Sequence, residues 1–148
     1  MSSVLTVIGL GNIGGGVARN LVAAGHAVTV VDLDPDKVAE LVDLGASAAV
    51  SLVDAVASAD VVFTSLPGPK QITAVGAEIV PAMRPGSTWI EMSTNDLDTA
   101  RALASQCGTA GVHLVNAPVS GGPEGAAAGT LSIFVGGTAD EDLSLIHI

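Results

Sequence analysis

The sequence predicts an α/β fold in which helices cover both faces of a doubly wound, mostly parallel sheet. Its 148 residues are enough for one domain with a substantial core. Short runs rich in Val and Ile alternate along the chain with segments whose apolar residues recur every three or four positions, as strands and helices require. Aromatic residues make up only 2% of the chain, so the core must be built from aliphatic side chains, which suit strands buried on both faces.

The first 31 residues predict the order strand, helix, strand. An apolar run at 4–8 ends at a glycine, and the residues Ile13, Val17 and Leu21 that follow share one helical face. The β-branched run at 27–31 predicts the second strand.

The second helix has well-marked ends, because Asp34 is suited to cap it, Pro35 suits its first position and Gly45 follows its apolar stripe. Strands alternating with helices imply right-handed crossovers and a parallel sheet. The further predicted elements are a short strand at 48–50, a short helix capped by Ser51, strands at 61–65, 88–91, 113–116 and 131–135, and helices around 72–79 and 97–103.

The charge of the chain excludes several classes of partner. Fifteen Asp and Glu residues against five Lys and Arg residues give a formal net charge of −10, and no basic cluster is present. We therefore expect no nucleic-acid partner and no binding to anionic membranes. The apolar stretch near the N-terminus is broken by Gly9 and Gly11 before a secretory signal could form. A cytoplasmic location is the resulting expectation.

Cys107 is the single cysteine, which excludes an internal disulfide and a multi-cysteine metal site. No motif surrounds this residue, so we expect it to pack at a helix rather than to act as a nucleophile. No metal site is predicted.

A glycine-rich turn joins the first strand to the first helix. The pattern G-x-G-x-x-G at 9–14 is weak alone, but it lies between a strand and a helix, and Asp32 ends the second strand. In this interpretation Gly9 permits a tight turn, Gly11 lets the backbone approach a diphosphate, and Gly14 lets helix and strand pack closely. The alternative is a glycine-rich turn without a ligand. The pattern predicts a Rossmann-type dinucleotide site formed by Gly9, Leu10, Gly11, Asn12, Ile13, Gly14 and Asp32.

Asp32 also bears on the choice of cofactor. A carboxylate at this position accepts hydrogen bonds from ribose hydroxyls and repels a 2'-phosphate. Leu33 follows it, where an NADP enzyme would want arginine, and Lys37 is the only nearby cation. We therefore expect NAD as cofactor, with NADP less favoured.

Two further glycines, Gly15 and Gly16, follow the motif inside the predicted helix. Each costs roughly 1 kcal/mol relative to alanine in a helix. The dinucleotide pattern gives no reason for them.

A second glycine-rich segment lies nearer the C-terminus. Ser120 followed by Gly121 and Gly122 exposes a hydroxyl and consecutive main-chain amides in a turn, an arrangement suited to a small anion. A substrate carboxylate is the natural occupant of such a turn. The alternative is a plain turn between strands.

These motifs together resemble the β-hydroxyacid dehydrogenase family, which includes 3-hydroxyisobutyrate dehydrogenase and tartronate semialdehyde reductase. The likeness spans residues 4 to about 142. It rests on the fingerprint segment at 9–21 (GLGNIGGGVARNL), Ser-Leu-Pro at 65–67, Ser-Thr at 93–94, and the segment at 117–131 that begins APVSGG.

The resemblance implies contacts for residues outside the fingerprint. By it, Leu66, Pro67 and Thr94 bind the cofactor, and Ser120, Gly121 and Gly122 bind the substrate beside the nicotinamide. The implied reaction is reversible hydride transfer between the nicotinamide and a small 3-hydroxy acid or its semialdehyde, with a lysine on a later helix moving the hydroxyl proton.

Neither Lys37 nor Lys70 lies in the motif of that lysine, so no catalytic residue is assigned within this sequence. The fragment should therefore bind cofactor and catalyse poorly. The resemblance also implies that the parent protein is a homo-oligomer.

We expect residues 1–142 to form a dinucleotide-binding domain and an all-helical C-terminal domain to be absent. The segment 138–141 (TADE) is a capping box that predicts a helix, yet the pattern dissolves soon after it. The residues LSLIHI at 143–148 match the translation of a transposase adapter used to prepare sequencing libraries, and we interpret them as a non-native tail. Apolar surface near 131–135 is then expected to be exposed.

Two other functions stay open at this point. One is a sensing module that binds NAD without chemistry. The other is an imine reductase-like enzyme, which resembles this family, lacks the lysine and usually prefers NADP. Asp32 argues against the second. The motifs do not identify the particular 3-hydroxy acid.

Overall fold

The computed structural model describes residues 2–136 and shows a parallel sheet covered by helices, which confirms the predicted fold class. The capping box predicted at 138–141 and the tail predicted at 143–148 lie outside the described residues. The strands of the sheet are β1 (Val4–Ile8), β2 (Ala27–Val31), β3 (Ser47–Ala48), β4 (Val61–Thr64), β5 (Thr88–Glu91) and β6 (His113–Asn116). Their spatial order is β3-β2-β1-β4-β5-β6, so successive strands are added on one side of β1 and then on the other.

The helices between the strands begin as the capping signals predict. Asp34 accepts a hydrogen bond from the amide of Asp36, and Ser51 accepts one from the amide of Asp54. No helix described within residues 2–136 combines the length and the apolar character needed to cross a membrane. The helices are α1 (Gly14–Ala23), α2 (Pro35–Asp43), α3 (Leu52–Val56), α4 (Pro69–Ile79), α5 (Leu97–Ala110) and α6 (Gly122–Ala128), with a 3-10 turn at Val80–Ala82 after α4.

Aliphatic side chains fill both faces of the sheet. Leu5 and Val7 are buried on the face covered by α1 and α2. Ile79 and Trp89 are buried on the opposite face, together with Cys107 from α5. Burial raises the pKa of the Cys107 thiol to about 11, so this residue carries almost no reactive thiolate at neutral pH. The predicted packing role of Cys107 is confirmed.

The end of the described chain differs from the prediction. Residues 131–135 were expected to add a strand to the main series. Instead β8 (Ser132–Ile133) pairs antiparallel with β7 (Val119–Ser120) in a separate two-stranded sheet. The connection between β7 and β8 at 121–131 is too short for a parallel crossover, which needs a dozen or more residues, so β8 returns antiparallel to β7. Gly136 then forms an isolated antiparallel bridge with Asn116 at the end of β6. Helix α6 lies within this connection and was not predicted. The short strand expected at 48–50 lies at Ser47–Ala48.

The apolar surface expected near 131–135 is present. Ile133 is 52% exposed, Phe134 63% and Val135 42%. Leu131 is the exception, because its side chain is partly buried and packs against the core beside β1 and β2.

Candidate cofactor-binding site

The glycine-rich turn lies at the carboxyl end of β1, where the strand order reverses and neighbouring loops diverge to leave a crevice. Gly9 has a φ angle of +90°, and a Cβ atom added to it would lie 2.1 Å from the carbonyl oxygen of Ser65. A Cβ atom on Gly14 would lie 1.8 Å from the carbonyl oxygen of Gly9. The structural tasks predicted for these two glycines, a tight turn and close packing of helix on strand, are confirmed.

Gly11 differs from both of its partners in the motif. No heavy atom among residues 2–136, apart from its chain neighbours, lies within 4 Å of the Cβ position of Gly11. Helix α1 begins just beyond it, and in the described chain no side chain caps the helix at Ile13. The first amides of a helix have no intrahelical partner, and they carry a partial positive charge. The turn therefore offers open space in front of main-chain donors, which fits a diphosphate group.

A cavity of about 310 Å³ opens beside the turn, between α1, α2 and α6. Asn12 lies on its wall together with two cationic side chains, Arg19 and Lys37. Arg19 is paired with Glu40 at 2.5 Å, and both side chains are about half exposed. The charge of the guanidinium is thus offset by a carboxylate of the same cavity.

Close packing of α1 explains Gly15 and Gly16, the two glycines for which the dinucleotide pattern gives no reason. A Cβ atom on Gly16 would lie 2.8 Å from the main-chain carbon and Cβ of Ala126 in α6. One on Gly15 would lie 3.0 Å from the carbonyl oxygen of Leu10. The absence of side chains therefore lets α1 approach both α6 and the turn. The packing gained in this way offsets the free-energy cost of placing glycine in a helix.

Asp32 lies directly beyond β2, at the same edge of the sheet as the turn. Its Oδ2 accepts the amide of Leu10 at 2.6 Å, and its Oδ1 accepts the amide of Asp34 at 2.8 Å. The carboxylate is therefore held in place by the glycine-rich turn on one side and by the start of α2 on the other. Each oxygen keeps a second lone pair that a hydroxyl group could use. Leu33, the next residue, is fully exposed.

The loops after β4 and β5 lie side by side at this edge, since the two strands are neighbours in the sheet. The amide of Leu66 donates to Ser93 Oγ at 2.7 Å, while Pro67 and Thr94 are exposed. The Nδ2 atom of Asn95 is buried and has no hydrogen-bond partner within the part of the chain that the structure describes. An orphaned donor beside these loops fits a ligand that carries acceptors.

Ser120, Gly121 and Gly122 form the corner between β7 and α6. Gly121 has a φ angle of +131° and Gly122 one of +63°, so both adopt conformations that favour glycine. Ser120 is exposed. The predicted turn is present, and it is followed at once by a helix, which packs on α1 at Gly16. Contact between α1 and α6 brings this corner to the same side of the sheet as the fingerprint turn.

One residue of this region was missed by the sequence analysis. Glu91 ends β5, is 1% exposed, and receives hydrogen bonds from Thr64 and Ser93. Burial raises the pKa of its carboxyl above the ordinary value, and the hydrogen bonds from both partners act in the opposite direction. A carboxylate at the end of an otherwise apolar strand was the available signal, because ionisable residues are rarely buried without partners.

A strand-to-helix glycine turn at the point where the strand order reverses, with an acidic residue after the second strand, defines a Rossmann domain of the NAD(P)-binding class. The comparisons with known proteins agree. Residues 4–145 match the family model described as the NAD binding domain of 6-phosphogluconate dehydrogenase, and the chain belongs to this family.

The known relatives include dehydrogenases of hydroxy acids. The chain is 42% identical over 139 residues to 3-hydroxyisobutyrate dehydrogenase of Pseudomonas aeruginosa, covering 92% of this chain and 47% of that protein. A solved structure of Mycobacterium tuberculosis 3-hydroxyisobutyrate dehydrogenase with L-serine superposes with a TM-score of 0.91 at 36% identity, over 95% of this chain and 48% of that one. The family resemblance is confirmed, and the chain spans about half the length of these relatives.

A third relative carries the other nicotinamide cofactor. The solved structure of Psf3 in complex with NADP+ and 2-OPP has a TM-score of 0.88 at 30% identity, over 97% of this chain and 51% of that one. The comparisons therefore establish an NAD-binding family without separating NAD from NADP.

Proposed function

We propose that this chain is the cofactor-binding half of a dehydrogenase that transfers a hydride between NAD and a small 3-hydroxy acid. The observation that carries the proposal is the contrast within the glycine motif. Gly9 and Gly14 lack side chains because neighbouring backbone fills the space, whereas Gly11 faces open space in front of a helix start. Asp32 is hydrogen-bonded to the same turn.

Each part of the edge has a role in this proposal. Amides of Gly11, Asn12 and Ile13 hold the diphosphate, and Asp32 accepts from the adenosine ribose hydroxyls. The nicotinamide ring supplies the position that gives or receives the hydride. The remaining contacts of the proposed site are Gly9, Leu10, Gly14, Leu66, Pro67 and Thr94.

The substrate proposal rests on the corner at Ser120, Gly121 and Gly122. A hydroxyl and main-chain amides there offer donors to a carboxylate, and α6 holds the corner on the side of α1. The relatives act on or are bound to small hydroxy acids by name, namely 3-hydroxyisobutyrate and L-serine. A substrate of this class, or its semialdehyde, is thus proposed.

The proton-transferring group is proposed to lie in a part of the parent protein outside residues 1–142, within an all-helical domain. The two lysines of this sequence lie outside the segment at 117–131 that contains Ser120. Lys37 belongs to α2 on the ribose side, and Lys70 belongs to the start of α4. We therefore propose that this chain binds cofactor and turns over little or no substrate by itself, in the cytoplasm and without a metal ion.

The proposed NAD preference predicts different affinities for NADH and NADPH. Calorimetric titration of the chain should give at least about tenfold tighter binding of NADH, because the Asp32 carboxylate repels a 2'-phosphate. Asp32→Asn removes the charge and keeps one acceptor oxygen, so it should erase most of the preference.

Asp36→Asn is the matched control, since it removes the same charge from an exposed position in the first turn of α2. The control should keep the preference for NADH. Tighter binding of NADPH by the unaltered chain would overturn the assignment of Asp32, and absence of binding to either nucleotide would overturn the proposed function.

A further inference from the structure

Glu91 is a buried acidic residue between the two loops proposed to contact the cofactor. We infer that it is a positioning residue, which holds the loops after β4 and β5 in the geometry that receives the nicotinamide half of the dinucleotide. This inference rests on the proposed function, and it adds a residue that does not itself touch the cofactor.

A chain of hydrogen bonds passes through the Glu91 carboxyl. On one side, Oε1 accepts the amide of Ser93 at 2.6 Å, and the Ser93 hydroxyl bonds the same carboxyl. That hydroxyl also accepts the amide of Leu66 at 2.7 Å. Leu66 belongs to the loop after β4, and Ser93 to the loop after β5, so the carboxyl anchors one loop directly and the other through the serine.

The other side of the carboxyl is anchored in the core. Oε2 accepts the hydroxyl of Thr64, and Thr64 Oγ1 accepts the indole N–H of Trp89 at 2.8 Å. Both Thr64 and Trp89 are fully buried. The network therefore connects the two loops to the rigid centre of the sheet, with every bond oriented from an N–H or O–H group toward the carboxyl.

An aliphatic side chain would suit the end of a buried strand better if packing were the only requirement. Burying an ionisable group is costly unless its oxygens find donors, and here both oxygens find them. Hydrogen bonds to a carboxylate are stronger than hydrogen bonds between neutral groups, and hydrogen bonds linked in a chain polarise one another. The result is that Leu66 and Ser93 have one favoured arrangement before any ligand arrives.

The test compares two ligands that reach different parts of the crevice. NADH spans the whole proposed site, whereas ADP reaches only the glycine turn and Asp32. Glu91→Met keeps the volume and removes every acceptor. We expect it to weaken NADH binding about tenfold in calorimetry and to change ADP binding by less than about twofold, since one charge-assisted anchor of the nicotinamide loops is lost.

Glu91→Gln retains one acceptor oxygen for Ser93 and should restore part of the NADH affinity. Thr6→Val is a control for general destabilisation, because Thr6 is fully buried in β1 and donates to the carbonyl of Ala55 away from the network. This control should lower the free energy of unfolding and leave the ratio of NADH to ADP affinity unchanged.

Amide hydrogen exchange measures the same property without a nucleotide. The Leu66 amide should exchange at least about tenfold faster in Glu91→Met than in the unaltered chain, whereas amides in the centre of β1 should not. If Glu91→Met fails to fold, Ser93→Ala removes the bridge to Leu66 and should give the same exchange result and the same selective loss of NADH.

The outcomes separate the two proposals. An unaltered chain that binds neither NADH nor ADP contradicts the proposed function. An unaltered chain that binds both, together with variants whose NADH to ADP ratio and Leu66 exchange are unchanged, contradicts the positioning role of Glu91 alone. Equal losses of NADH and ADP affinity also contradict it, since they indicate a general structural effect.

Discussion

At the scale of single residues, the glycines of the fingerprint lack side chains for two different physical reasons. Gly14 is required by the fold, because a Cβ atom there would overlap the carbonyl oxygen of Gly9 at 1.8 Å. Gly11 is not required by the fold, since its Cβ position is open and its φ angle is not positive. If the open space receives a diphosphate, Gly11 lacks a side chain because of the ligand and Gly14 because of the fold.

This difference predicts opposite effects of the same substitution. Gly14→Ala should destabilise the chain by about 3 kcal/mol or more, because neither backbone segment can move far. Gly11→Ala should leave the free energy of unfolding unchanged or raise it by about 0.4–1 kcal/mol, and should weaken NADH binding at least about tenfold. Urea denaturation and calorimetric titration check the two effects.

A Gly11→Ala variant that binds NADH as tightly as the unaltered chain contradicts the placement of the diphosphate in front of residue 11. A stable Gly14→Ala variant contradicts the packing at the turn. The two substituted residues are three positions apart in one motif, so each variant serves as the control for the other.

The parts of the site that the sequence predicts are those whose residue type is itself unusual. Glycine at 9 and 14 and a carboxylate at 32 are each demanded by local geometry or by position at a strand end, and local geometry is visible in sequence. Glu91 was missed because its partner Thr64 lies 27 residues away in a neighbouring strand, and the nearby Ser93 alone does not reveal that the carboxyl is buried. The links from Thr64 to Glu91 and from Leu66 to Ser93 are set by tertiary packing and are not visible in the sequence.

At the scale of elements, the sequence predicts best those segments whose stability is local. Helix α2 has a side-chain cap at Asp34 and a proline in its first turn, and its bounds match the prediction. Helix α6 was missed because its first turn holds Gly122, Pro123 and Gly125, which are poor helix formers. Contact with α1 at Gly16, rather than propensity, stabilises α6.

Asn20 is the polar link between these two helices. Its Nδ2 atom donates to the carbonyl of Ala126 in α6 at 2.7 Å and to the carbonyl of Gly16 in α1 at 3.0 Å. A helix end has carbonyl groups without intrahelical partners, and a side-chain amide can satisfy them. The amide of Asn20 therefore acts as a cap on α6 that is supplied from another helix.

Asn20→Ala should lower the free energy of unfolding by about 0.5–1.5 kcal/mol, because the Ala126 carbonyl then keeps only the longer hydrogen bond from the Gly129 amide, at 3.4 Å. It should also speed amide exchange in α6 more than in α2. Urea denaturation and hydrogen exchange provide the measurements. Gln71→Ala, on the exposed face of α4, is the control and should change stability by less than about 0.5 kcal/mol. Unchanged exchange in α6 would show that another contact holds the helix.

At the scale of the whole molecule, the charge of the chain opposes its proposed ligand. A net charge of −10 repels an anionic dinucleotide, so binding must depend on short-range donors that overcome the long-range field. Two kinds of donor lie near the turn. Main-chain amides at the start of α1 are neutral overall, whereas Arg19 and Lys37 on the cavity wall are charged.

The dependence of NADH affinity on salt distinguishes these donors. The screening length falls from about 30 Å at 0.01 M salt to about 8 Å at 0.15 M. If amides hold the diphosphate, added salt mainly screens repulsion from the whole chain. NADH should then bind more tightly at 0.15 M than at 0.01 M sodium chloride, by about twentyfold. This factor follows from the screened Coulomb energy between the net charge of the chain and a dianion about 20 Å away.

Calorimetric titration with NADH at the two salt concentrations measures this dependence, with Arg19→Gln and Lys37→Gln as controls. The glutamine variants keep a polar side chain and remove the cation, so they should show the same sign of salt dependence as the unaltered chain. Affinity that falls with added salt, and stops falling in either variant, would mean that the cation removed in that variant pairs with the diphosphate. That outcome would place the diphosphate at the cavity wall between α1 and α2, and it would contradict the proposed position at the start of α1.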